Sequence, residues 1–314
     1  MRARGLLAAG LIAAAAGGGA DWPQFRGPAG SGVAADKLPT EWSADRHIAW
    51  KATVPGVGWA CPIVVGGKVF VATAVADGQP KPGGPPPPGG GGRPGGPDKM
   101  YAWQLHCLDL ATGKPQWAAT VAEGKPKYGA HPSNTFASET PASDGERVYA
   151  YFAAAGVVAA YDLAGKEVWR KEVGAFPTQM NWGTASSPVA HAGAVYIQCD
   201  NEEKSFLLAL DARTGAERWR ADRPEPSGWS TPYVWATPGR TDLVVGGSHK
   251  VRGYDPATGK VVWELAAGGG RNNASPVGDA ERLYFVTGNG GGGGGKGPPG
   301  GKGPPNAKGP PGGG

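Results

Sequence analysis

The sequence predicts an all-β chain of four-stranded antiparallel blades, a β-propeller, from three marks that recur in fixed order. The first is a run of small residues ending in proline: GWACP to Pro62, FASETP to Pro141, GTASSP to Pro188, GWSTP to Pro232 and NNASP to Pro276. The second is a short alternating run rich in β-branched and aromatic residues: KVFVAT, RVYAYF, AVYIQC, DLVVGG and RLYFVT. The third is a phrase from an acid, through a turn, to a tryptophan. It reads DLATGKPQW at Asp109–Trp117, DLAGKEVW at Asp162–Trp169, DARTGAERW at Asp211–Trp219 and DPATGKVVW at Asp255–Trp263. After a first proline-to-proline step of 79 residues, the steps are 47, 44 and 44. Such a period belongs to propeller blades, whose radial stacking buries both sheet faces and leaves only short edges.

Along the chain, residues 1–20 read as a secretory signal. MRAR is a short basic start, and GLLAAGLIAAAA is an apolar run too short to span a bilayer. Gly18 and Ala20 are the small residues before a cut at Asp21. Residues 21–287 hold the repeats. Each unit is expected to run as strand A after the proline, strand B, strand C ending at the acid, a Gly-containing turn, and strand D carrying the tryptophan. Residues 47–54, HIAWKATV, align with KPQWAATV and place Trp50 on Trp117, as a D strand with no A, B or C before it. The fifth unit supplies A and B and then runs into glycine and proline. The expectation is four complete blades, part of a fifth and one separate D strand, from the N-terminal part of a ring of seven or eight blades. Five-bladed closure lacking a C strand is the alternative, and it leaves a strand B edge unpaired. The 56 glycines and 31 prolines are concentrated in an insert at 78–98 and a tail at 288–314, both read as low-complexity linker.

The formal charge is +5, but Arg2 and Arg4 lie in the leader and Lys296, Lys302 and Lys308 in the tail. The body is therefore close to neutral, which argues against a nucleic-acid partner. No segment after the leader is apolar enough to span a membrane. Cys61, Cys107 and Cys199 allow one disulfide in an exported protein, or isolated thiols. The five histidines show no metal-ligand spacing.

The spacing Ala209-x-Asp211-x-x-x-Gly215-x-x-x-Trp219 resembles the tryptophan-docking motif of quinoprotein-type (PQQ-like) propellers. The opening DWPQFRGP, then LPTEW and IAWKATVPGVGWACP, is similar to secreted PQQ-like repeat proteins, themselves akin to the BamB-like propellers of outer-membrane assembly. The resemblance covers roughly residues 21–287. Cys107 and Gly253 replace the motif's first alanine, and the second copy is one residue short. It implies that Asp109, Gly113, Trp117, Asp162, Gly165, Trp169, Asp211, Gly215, Trp219, Asp255, Gly259 and Trp263 are architectural, the acids shaping turns and the indoles wedging between blades.

For activity, the resemblance implies an exported, periplasmic or extracellular scaffold that binds envelope or secreted proteins without catalysis. The alternative is a PQQ-dependent alcohol or sugar dehydrogenase with calcium and an aspartate base. A carbohydrate- or peptide-binding propeller is the second alternative. The candidate binding face is the set of loops from one D strand to the next A strand. These carry Trp59, Asn134, Trp182, Trp229, Arg271 and Asn272, with Glu139, Asn181 and Asn273 beside them. The loops hold no cluster of acids and no adjacent cysteine pair, so no catalytic residue or metal ligand is assigned.

Overall fold

The computed structural model describes residues 21–34, 38–78, 97–270 and 273–286. The leader, most of the insert at 78–98 and the tail at 288–314 lie outside the described residues.

Each repeat folds into one meandering antiparallel sheet, with strands paired in chain order. Blade 1 comprises β1 (Ile63–Val65), β2 (Lys68–Ala76), β3 (Tyr101–Asp109) and β4 (Pro115–Gly124). Blade 2 comprises β5 (Ala142–Ser143), β6 (Arg147–Phe152), β7 (Val157–Asp162) and β8 (Glu167–Glu172). Blade 3 runs through β9 (Val189–His191), β10 (Ala194–Cys199), β11 (Phe206–Asp211) and β12 (Glu217–Asp222). Blade 4 runs through β13 (Tyr233–Ala236), β14 (Thr241–Val245), β15 (Lys250–Tyr254) and β16 (Val261–Ala266). The fifth unit pairs β17 (Val277–Gly278) with β18 (Leu283–Tyr284). Among the described residues the only helical element is a single 3-10 turn, Gln179–Asn181. No described helix is long and apolar enough to cross a membrane.

Burial follows strand position. The B and C strands of blade 2 are almost wholly buried, because both their faces meet a neighbouring sheet. Its D strand, EVWRKE, buries only Trp169, and ERWRAD in blade 3 buries only Trp219. Apolar clusters lie between successive blades. Phe70 and Leu105 of blade 1 meet Phe152 of blade 2; Tyr149 and Val158 meet Ile197 and Leu208; Tyr196 and Leu207 meet Leu243 and Tyr254.

In all four complete blades the C–D ladder is irregular beside the tryptophan pair: Cys107↔Trp117, Ala160↔Trp169, Ala209↔Trp219 and Gly253↔Trp263. Such a bulge re-aims a side chain. Three of these indoles reach the C–D turn of the next blade, where Nε1 donates to a carbonyl. The bonds run from Trp117 to Leu163, 3.3 Å, from Trp169 to Ala212, 3.0 Å, and from Trp219 to Pro256, 3.0 Å. The receiving turn needs its glycine twice over. Gly215 has φ +70°, and a Cβ there would sit 2.6 Å from the Trp169 ring. The acids shape the same turns: Asp211 Oδ1 accepts from the Arg213 and Thr214 amides and the Thr214 hydroxyl, all at 3.0 Å. The Arg218 side chain, bonded to the other oxygen, holds the Asp211 carboxyl down at about 2.

Two expectations need correction. Residues 47–54 form no ladder with a described strand, since a D strand bonds to its own C strand and no described segment occupies that place. Trp50 nonetheless docks on blade 1, donating to Leu110 O at 2.8 Å and covering Gly113. Trp263 does not wedge into a following turn. It lies over Gly253 of its own blade, where the absent Cβ leaves room, and donates to Asp242 Oδ2 at 2.7 Å. All three cysteines are free, with Cys107 and Cys199 buried and Cys61 exposed.

Candidate functional site

The small-residue–proline runs build the inner wall of the loop face. The residue before proline is biased to extended backbone, which carries the chain straight into strand A. In four of the five runs that residue is Thr or Ser, and its hydroxyl accepts the equivalent amide of the preceding unit. Cys61 N donates to Thr140 Oγ1 at 3.0 Å, Thr140 N to Ser187 Oγ at 2.9 Å, Ser187 N to Thr231 Oγ1 at 3.1 Å, and Thr231 N to Ser275 Oγ at 2.9 Å. A continuous chain of hydrogen bonds thus links the inner ends of five successive units.

This wall lines a cavity of about 550 Å³. The D-to-A loops bring four of the six sequence-selected residues to it, Trp59, Asn134, Trp182 and Trp229, together with Asn273. Arg271 and Asn272 lie outside the described residues. Asn181 sits at the tip of the 3-10 turn and is not part of the lining. Trp59 is 60% exposed, while Trp182 and Trp229 are half-buried, their ring centroids 5.9 Å apart. Backbone contacts fix this pair: Trp229 Nε1 donates to Gly183 O at 2.7 Å, and Asn134 Nδ2 donates to Trp182 O at 2.8 Å. His131 meets the Trp182 ring edge-on at 6.1 Å, and its Nδ1 lies 2.6 Å from Ser133 Oγ.

The floor comes from the N-terminal segment. Trp22 bridges to Val64 on β1, Pro23 O accepts from Ser143 N on β5, and Arg26 reaches Ser275 O in the fifth unit. The segment therefore crosses the inner strands, and Phe25 lines both this cavity and a second one of about 370 Å³.

Glu139 lies behind the wall, between the lining residues Ser138 and Thr140. It is 2% exposed, and burial pushes its carboxyl up to about 7 although the Thr184 hydroxyl bonds it. The described lining contains no carboxylate, and no three His, Cys, Asp or Glu side chains converge among the described residues. Nor does that lining contain Lys or Arg. The described lining residues thus offer neither a carboxylate to a calcium ion nor a Lys or Arg to an anionic ligand.

The 3-10 turn ahead of Trp182 carries one further exposed residue. Met180 and Asn181 adopt consecutive left-handed conformations, φ 52° and 53°, and leave Met180 73% exposed beside Trp182. Nothing in the periodicity marks Met180 or Phe25. The pre-proline hydroxyls were visible in the sequence, but their shared bonds required the assembled ring of inner strands.

The family model described as outer membrane protein assembly factor BamB matches residues 40–197 and 203–294. Among solved structures, BamB from Moraxella catarrhalis is 18% identical, with 59% of this chain and 50% of that chain covered and a TM-score of 0.39. Quinohemoprotein alcohol dehydrogenase from Comamonas testosteroni is 19% identical, with 82% of this chain and 43% of that chain covered and a TM-score of 0.49. The chain spans half or less of the length of each. No curated protein sequence matches it.

Proposed function

The chain belongs to the family of the outer membrane protein assembly factor BamB, and on that premise we propose that it is an exported, non-catalytic scaffold that binds envelope or secreted proteins through its loop face. The observation that carries this reading is Met180. Asn181 tolerates the left-handed region, but Met180 there is costly, of order 1–3 kcal/mol, and such strain clusters at active sites, ligand clamps and switch regions. Here it goes with a polarizable, adaptable side chain that is 73% exposed, two residues before Trp182, which pairs with Trp229. Aromatic anchors beside an exposed methionine suit a protein partner.

Site-specific photo-crosslinking tests this in the producing cell. A photoreactive phenylalanine analogue is placed at Met180, or at Lys114 in the C–D turn at the other end of the D strands. The reading expects a discrete protein adduct from position 180 and none from 114. Adducts only from 114, equal adducts from both, or none from either would defeat it.

A further inference from the structure

We infer that the loop-face cavity is a binding site for a neutral sugar, with the Trp59 indole as its stacking platform and the pre-proline hydroxyls as its polar wall. This goes beyond protein docking at Met180 and does not depend on it.

Charge is the first argument. Among the described residues the lining has no Asp, Glu, Lys or Arg. From the described residues a charged ligand would gain no counter-charge for the hydration it gives up, whereas an uncharged polar ligand need only exchange hydrogen bonds.

The hydroxyls are the second. Thr140, Ser187, Thr231 and Ser275 each accept one backbone amide. A Ser or Thr hydroxyl offers one donor and two acceptor lone pairs. Among the described residues none of the four donates a hydrogen bond within the protein, so each retains a donor and one lone pair. Thr140, Ser187 and Thr231 are at most 4% exposed, which makes unused donors there a matter of consequence. A ligand hydroxyl, which also both donates and accepts, matches that pairing. An apolar peptide side chain would leave the donors unmet.

Trp59 supplies the third argument. It is 60% exposed, and its indole makes no hydrogen bond among the described residues. The C–H face of a pyranose is apolar while its edges are hydroxylated, so it can lie on an indole and turn its edges to the wall. The cavity, about 550 Å³, lies within the usual range for small ligands, about 300–1,000 Å³.

Isothermal titration of the purified full chain with cellotriose, maltotriose, xylotriose and mannotriose tests the assignment, with trigalacturonate as the charged counterpart. At least one neutral trisaccharide should bind saturably, and more tightly than trigalacturonate. Trp59→Ala should weaken that binding by about tenfold or more with an unchanged melting temperature, and Trp59→Phe should restore most of it. No saturable heat with any neutral trisaccharide, tighter binding of trigalacturonate, or unchanged affinity in Trp59→Ala would overturn the assignment. Failure here leaves the Met180 crosslinks untouched, so the two readings fail separately.

Discussion

Replacing Glu139 by Gln should change how stability depends on pH, with a sign and size fixed by the structure. Burial raises the folded-state value from 4.5 to about 7. Between those values the unfolded chain has lost the proton that the folded chain keeps. The contribution of Glu139 to stability therefore falls as pH rises through that window and is flat on either side. A gap of this width corresponds to about 3 kcal/mol. Gln mimics the protonated acid and can still accept the Thr184 hydroxyl. Urea denaturation at pH 5 and pH 8 should thus find the two proteins similar at the lower pH and Glu139→Gln more stable by about 3 kcal/mol at the higher. The comparison must be a difference, because burial lowers His106 and His191 and their neutral forms favour the fold as pH rises. Those histidines are present in both proteins and cancel. Tyr151 lies near Glu139 and Cys199 near Tyr151, but burial pushes both upward, Cys199 to about 12, well outside the window. A stability difference that stays the same from pH 5 to pH 8 would mean that Glu139 is not held protonated by burial.

Substitutions at four further positions probe the architecture by denaturant or thermal unfolding. Gly215→Ala forces a Cβ to 2.6 Å from the Trp169 ring at φ +70°, and should destabilise by about 2–4 kcal/mol. Gly145→Ala, at φ +91° with open space around it, should lose only about 1 kcal/mol, and equal losses at the two sites would contradict tryptophan docking. Asp200→Ala leaves the fully buried Arg223 without its carboxylate partner at 2.7 Å, and should destabilise by about 3–5 kcal/mol; a neutral result would mean that water reaches the guanidinium. Thr231→Val leaves the buried Ser187 amide without its acceptor and should lose about 1–3 kcal/mol, while Thr231→Ser should be nearly silent.

The blades were legible because their signal is repeated. One Asp-to-Trp phrase is an ordinary turn, but four at matched spacing fix strand order, and the sheets pair in that order. The loops that line the cavity followed from topology, since the connection from D to the next A must return to the inner end. Three features were not legible. Trp263 turned on a local exchange, Gly253 in place of alanine, whose effect depends on what lies beyond the blade. Phe25 reaches the cavity through a segment without periodicity, held by a pair of backbone bonds to β1 and single bonds to β5 and Ser275. Met180 owes its exposure to two backbone angles that composition does not encode.

The proposed role of the loop face is binding without catalysis. The most direct measurement adds PQQ and Ca²⁺ to the purified full chain, removes the excess, and records quinone absorbance and alcohol- or sugar-dependent dye reduction. No retained quinone and no dye reduction above buffer are expected. A stoichiometric quinone signal with substrate-dependent reduction would contradict that role.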